Sequence, residues 1–90
     1  MIEKIYTEAR RISQAGLGTV SLGISTYEHY ELLGCTYSPP GWHDAQRAVN
    51  NGTASPKQLI ISQSALPLAN TCEITPEVLA DLLTKLEVIQ

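Results

Sequence analysis

Apolar residues recur at helical spacing at both ends of the chain. Near the C-terminus, Thr75 can cap, Pro76 fits the first helical position and Glu77 suits the positive end of a helix dipole, so a helix is predicted from Pro76 to about Ile89. At about 100° per residue, Val78, Leu79, Leu82, Leu83, Leu86 and Ile89 fall within an arc of roughly 140°, the width of a core-facing stripe. Val88 lies outside it. Asp81 and Lys85, four apart in the favourable order, add about a few tenths of a kcal/mol on the exposed side.

The first element reads as another such helix, Ile2 to Ala15, from the recurrence of Ile2, Ile5, Ala9 and Ile12, with Gly16 placed to end it. After the Gly16-Leu17-Gly18 break, Val20, Leu22 and Ile24 alternate with Ser21 and Gly23 as in a short strand, although one helical turn fits as well. Ser25 and Glu28 have the spacing of a capping box. That predicts a helix over Thr26 to Leu33, closed by Gly34, with Tyr27, Tyr30 and Leu33 on one face. Ser38-Pro39-Pro40-Gly41 forbids helix and reads as a stiff extended loop. A short helix over His43 to Asn50 follows, stopped by Asn50-Asn51-Gly52.

Residues 55–68 support two readings. Ser55, Pro56 and Gln58 make a good helix start, Leu59-Ile60-Ile61 looks like a buried strand, and Pro67 ends either version. A strand over Gln58 to Ser62 would pair with Val20 to Ile24 in a two-stranded ribbon. The pattern favours a mainly α-helical small domain spanning 1–90, with four to five helices and room for one short two-stranded β element. An α+β fold is the alternative.

Composition narrows the picture. Apolar residues make up 43% of the chain, with one Trp and no Phe, so the core must be aliphatic with few large anchors. A domain of this length buries only roughly 60–65% of its unfolded surface. Such domains are stabilised by disulfides, metals or association with another copy. The aliphatic stripes at both ends point to the last of these, a homo-oligomer. Cys35 and Cys72 are widely spaced, and Met1-Ile2-Glu3-Lys4 leads into an amphipathic pattern and not a signal segment. Reduced thiols and a cytoplasmic location are therefore expected. No apolar run nears the roughly 18 residues of a membrane span.

Nine acids against six bases give a net charge of −3, and the bases are scattered, which disfavours binding to nucleic acid through phosphates. The stretch Thr19 to Gly34 resembles a helix-turn-helix with Leu22-Gly23-Ile24-Ser25 as the turn. Its second helix would turn Glu28 and Glu31 toward the phosphates, so no DNA binding is expected.

Candidate chemistry concentrates in one segment. Tyr27, His29, Tyr30, Tyr37, Trp42 and His43 lie within seventeen residues, and the only other aromatic ring of this kind is Tyr6. Tyr and Trp give large contact areas at low entropy cost and His adds a switchable donor, which suits a surface that grips a partner. The competing reading is that these rings fill the core of a domain without Phe. Arg10, Arg11 and Arg47 could hold phosphates while Tyr37 or Trp42 stacks on a base. His29, Cys35, His43 and Cys72 form a nominal zinc set, but their irregular spacing lacks the close ligand pairs of structural zinc sites, and no cofactor is expected. Cys35 with a histidine could be drawn as a nucleophile and base, yet no nucleophile elbow, phosphate loop or metal-protease spacing accompanies them.

The reading that follows is a small non-enzymatic binding protein, a protein-interaction or inhibitor module that presents residues 27–43 to a partner. Its size, acidity and lack of motifs fit an accessory protein of the kind phages and mobile elements encode. The alternative is an oligomer that sequesters a small anionic or aromatic, nucleotide-like molecule.

Overall fold

The computed structural model describes residues Met1–Gln90. Its elements follow one another as α1 (Ile2–Gln14), β1 (Thr19–Thr26), β2 (Glu31–Ser38), α2 (Trp42–Asn50), α3 (Pro56–Ser62), β3 (Leu66–Glu73) and α4 (Pro76–Glu87). The strands form one antiparallel sheet in the order β1-β2-β3. The fold is α+β, and this three-stranded sheet overturns the mainly helical reading with at most a two-stranded element.

Two segments account for the correction. Thr26 to Leu33 is not a capped helix but the turn and second strand of a β-hairpin. Thr19↔Ser38 through Thr26↔Glu31 pair in unbroken register, and the Tyr27 N–H donates to the Tyr30 carbonyl at 2.8 Å across Glu28-His29. The pairing sets Val20, Leu22 and Ile24 beside Tyr37, Cys35 and Leu33 on one face. Ladder bonds and apolar cross-strand neighbours outweigh a single helix cap, because an isolated helix of eight residues is marginal. The helix-turn-helix resemblance of 19–34 goes with it, since that stretch contains no helix.

The second segment is Gln58 to Ser62, which is not the strand partner of Val20 to Ile24. It belongs to α3, and its capping box closes in both directions: the Gln58 N–H donates to Ser55 Oγ at 3.2 Å and the Ser55 N–H to Gln58 Oε1 at 2.9 Å. Pro67, expected to end the helix or strand read over 55–68, sits inside β3 instead. It is tolerated because β3 is an edge strand, where a missing N–H need not break a ladder.

The terminal helices follow the sequence pattern. Thr75 Oγ1 accepts from the Val78 N–H at 3.1 Å. Leu82 and Leu86 are fully buried, Val78, Leu79, Leu83 and Ile89 pack around them, and Val88 is exposed. Asp81 and Lys85 meet at 2.9 Å, and Lys85 Nζ also donates to the Leu68 carbonyl at 3.1 Å, tying α4 to β3. On α1, Ile5 and Ile12 are buried while Ile2 is exposed. Both helices lie on one face of the sheet, where Ile5, Ile12, Leu82 and Leu86 close over Leu33 and Cys35 of the central strand.

That core is small: only 8 of 90 residues are buried. The α2–α3 pair adds little to it, contributing Ala45 alone, and α3 leaves Leu59 and Ile60 exposed. The molecule extends 44 Å in its longest direction with a radius of gyration of 14.7 Å, against about 12 Å for a compact chain of this length.

Both cysteines are free. Burial pushes the Cys35 thiol up from its ordinary value, which lowers its thiolate fraction at any given pH. Iodoacetamide at mildly alkaline pH is expected to leave Cys35 unmodified in the folded protein and to alkylate it in denaturant. Labelling of folded Cys35 at the rate of a free cysteine would show that the helices do not cover β2.

Candidate functional site

The aromatic segment 27–43 is divided by the sheet into two places. Tyr27, His29 and Tyr30 lie at one end of β2, and Trp42 and His43 follow its other end. They are separated by the length of the strand, roughly 24 Å at about 3.4 Å per residue. They cannot form one site.

At the tip, Tyr27 and Tyr30 face each other across the two-residue turn. Their rings stack at 4.8 Å between centroids with 19° between planes. Each is about half exposed, 50% and 48%. The hydrogen-bonded pairing puts both rings on the sheet face opposite α1 and α4, a face with no helical layer over it. Turn residues Glu28 and His29 are almost wholly in solvent, with the His29 Nε2 3.8 Å from the Glu28 carboxylate. An open groove of about 380 Å³ runs beside the tip and is lined by Thr26, Tyr27, Glu28, Tyr30, Glu31 and Ile74, with His29 at its rim. Glu28, Glu31 and, opposite Leu32, Glu73 make the tip acidic, and no Lys or Arg lines the groove.

At the other end the rings serve the fold. The Tyr37 hydroxyl donates to the Leu17 carbonyl and holds the α1–β1 connection against the sheet. Gly18 completes that contact: its φ is +134°, and a Cβ there would overlap the Ser38 carbonyl and lie 2.7 Å from the Tyr37 ring. The Trp42 Nε1–H donates to the Ser62 carbonyl at 3.0 Å, joining the start of α2 to the end of α3. His43 packs edge-on to Trp42 at 5.1 Å. A polar cleft of about 320 Å³ lies beside this end, lined by Gly16, Gly18, Pro39, Gly41, His43 and Asp44 among others. The Asp44 carboxylate sits in the first turn of α2, where it takes up the positive end of the helix.

The three arginines do not converge on either place. The Arg11 guanidinium is 2.6 Å from Glu8 Oε2 and donates to the Leu86 and Ile89 carbonyls at 3.1 and 2.8 Å, so it caps the C-terminal end of α4 from α1. Arg10 lies over the Tyr6 ring, 4.8 Å from its centroid. Arg47 pairs with Asp44 at 3.7 Å. No three His, Cys, Asp or Glu side chains are grouped as metal ligands; His29 is exposed in the hairpin turn, while Cys35 is buried on β2.

The sequence reading named the tip tyrosines but gave no site role to Glu31 and Ile74 beside them, because Glu31 was read only as a charge on a helix face and Ile74 comes from a distant part of the chain. The alternation running from Val20 to Ile24 and resuming at Leu33 to Tyr37 is the signal that could have found the hairpin.

No protein-family model matches the chain, and neither does any curated protein or solved structure. No helix is long and apolar enough to cross a membrane.

Proposed function

We infer that this is a non-enzymatic protein-interaction module of inhibitor type, acting in the cytoplasm, whose contact surface is the tip of the β1–β2 hairpin. The observation that carries the reading is the stacked pair Tyr27–Tyr30, held half exposed at the tip. A tyrosine pair already fixed in place loses little side-chain entropy on binding and presents apolar ring surface with hydroxyls at its rim, which is the make-up of an interface anchor. The charge around it supports one kind of partner: Glu28, Glu31 and Glu73 favour a surface with Lys or Arg flanking an apolar slot. They disfavour a phosphate-bearing ligand at the same place. The nucleotide-sequestering alternative has less support, since Arg10, Arg11 and Arg47 are each engaged within the chain and none borders an aromatic stack that is open to a base.

A photo-crosslinking phenylalanine analogue in place of His29, in the cells that make the protein, is expected to give one discrete adduct with another protein. The same probe in place of Thr84 on α4 should give none. The adduct should vanish when Tyr27→Ala and Tyr30→Ala are added. An adduct that survives those substitutions, or no adduct at His29, would overturn the reading.

A further inference from the structure

The two edges of the sheet are built differently. β3 carries Pro67, register shifts against β2 between Leu33 and Thr36, and a non-glycine residue of positive φ at Thr71 (+28°). These features keep an edge from pairing with another strand. β1 has none of them. Thr19–Thr26 reads TVSLGIST, with no charge and no proline, and runs in unbroken register along β2.

The hydrogen-bond pattern fixes which backbone groups of β1 are free. The Tyr27 N–H donates to the Tyr30 carbonyl, which puts that pair at a bonded position, and antiparallel pairs alternate between bonded and non-bonded. Ser25, Gly23, Ser21 and Thr19 therefore bond to β2, while the N–H and C=O groups of Val20, Leu22, Ile24 and Thr26 point away from the sheet. The Ile74 N–H donating to the Glu31 carbonyl, on the β3 side, agrees with this alternation.

The same four residues place their side chains on the face of α1 and α4. There the cover stops short: Leu22 is 37% exposed and Ile24 50%. On α1, Ile2 and Tyr6 are exposed as well. Taking Ile5 and Ile12 as the core direction and about 100° per residue, both lie on the flank of α1 away from α4, above β1. Because α1 runs into β1 through a short loop, its start stands over the end of β1, the end that carries Ile24. Apolar side chains of helix and strand thus share one uncovered border with the free backbone edge.

We propose that β1 pairs antiparallel with β1 of a second copy of this chain, about a two-fold axis at Gly23, to form a continuous six-stranded sheet. This register sets Leu22 opposite Ile24 and Val20 opposite Thr26, and the reverse. All four outward residues then find bonding partners, and helix-face side chains meet helix-face side chains. An axis at Leu22 would instead set Thr26 against Gly18, whose φ of +134° lies outside the strand. The edge is self-complementary, as an isologous interface requires. Its lack of charge favours a like copy over a charged partner and leaves the net −3 of each chain out of the contact.

A folded monomer of 9.8 kDa is expected to expose about 5,200 Å². This one exposes 5969 Å², and the uncovered border of Leu22, Ile24, Ile2 and Tyr6 shares that excess with the α2–α3 arm. The hairpin tips point to opposite ends of the joined sheet, where Tyr27 of each copy comes beside Thr19 of the other while Glu28, His29 and Tyr30 stay outside the paired edge.

Sedimentation equilibrium of the full chain at about 100 μM, well above a micromolar Kd, is expected to give twice the monomer mass. Ile24→Lys should return it to monomer, while Ile60→Lys on α3 leaves the dimer intact. Amide exchange resolved by residue reads the register directly: protection of Leu22, Ile24 and Thr26 should rise with protein concentration, and that of Ser21, Gly23 and Ser25 should be present at every concentration. Should Ile24→Lys fail to fold, the exchange pattern of the unaltered protein decides alone. A monomer mass at about 100 μM, a dimer that survives folded Ile24→Lys, or a dimer whose Leu22 and Ile24 amides stay unprotected would overturn the proposal.

Discussion

Leu33→Ala is expected to lower the melting temperature by about 8 °C or more, among the largest stability effects of any single truncation in this chain. Leu33 is fully buried on the central strand, flanked in register by Ile24 and Cys72, and belongs to the cluster that Ile5, Ile12, Leu82 and Leu86 close from above. Truncating such a leucine costs about 2–5 kcal/mol, through lost transfer energy and the cavity left behind. A 90-residue domain has only about 5–13 kcal/mol in all, and each kcal/mol moves the melting point of a domain this small by about 4–8 °C. The cluster has no aromatic member other than the partly buried Tyr37, so nothing large is at hand to refill the space. Val88→Ala, at a position 71% exposed, should stay within about 0.5 kcal/mol. Thermal unfolding followed by circular dichroism makes the comparison, and a shift for Leu33→Ala no larger than that for Val88→Ala would place the core elsewhere.

The helices at the two ends were legible because their signals are local. Thr75, Pro76 and the leucine stripe of α4 lie within one element, and each says the same thing. The hairpin was not legible because its evidence is split between strands. Two-residue hairpin turns favour glycine or asparagine with positive φ, whereas this one is Glu28-His29, and neither residue has a positive φ. With no turn signal to separate them, β1 and β2 blur into a single stretch in which Ser25 and Glu28 imitate a capping box. The partner of Val20 to Ile24 was then sought in Gln58 to Ser62, where Leu59-Ile60-Ile61 looks fit for burial. In the fold Leu59 and Ile60 face solvent on the α2–α3 arm. A hydrophobic run marks a strand only when a sheet is there to receive it.

The candidate site was legible as a composition and not as a geometry. The density of rings in 27–43 does mark two structural features, but a strand runs between them. Tyr37 and Trp42 spend their polar atoms on the Leu17 and Ser62 carbonyls, and Arg11 spends its guanidinium on the end of α4. Such long-range bonds leave no trace in local sequence.

Removing both tip rings is expected to weaken partner binding by roughly 30-fold or more while leaving the fold intact. As a cross-strand pair, Tyr27 and Tyr30 contribute about 0.2–1 kcal/mol to the hairpin. As interface anchors, truncation of the pair should cost at least about 2 kcal/mol of binding, roughly 30-fold in affinity. Glu28→Gln and Glu31→Gln together should act mainly on the association rate and flatten its salt dependence. The most direct test is calorimetric titration of the partner captured by crosslinking at His29 with the unaltered protein and with the Tyr27→Ala, Tyr30→Ala double variant. The predicted result is a loss of roughly 30-fold or more with an unchanged circular dichroism spectrum. Equal affinity for a folded double variant would contradict the assignment of the hairpin tip as the binding surface.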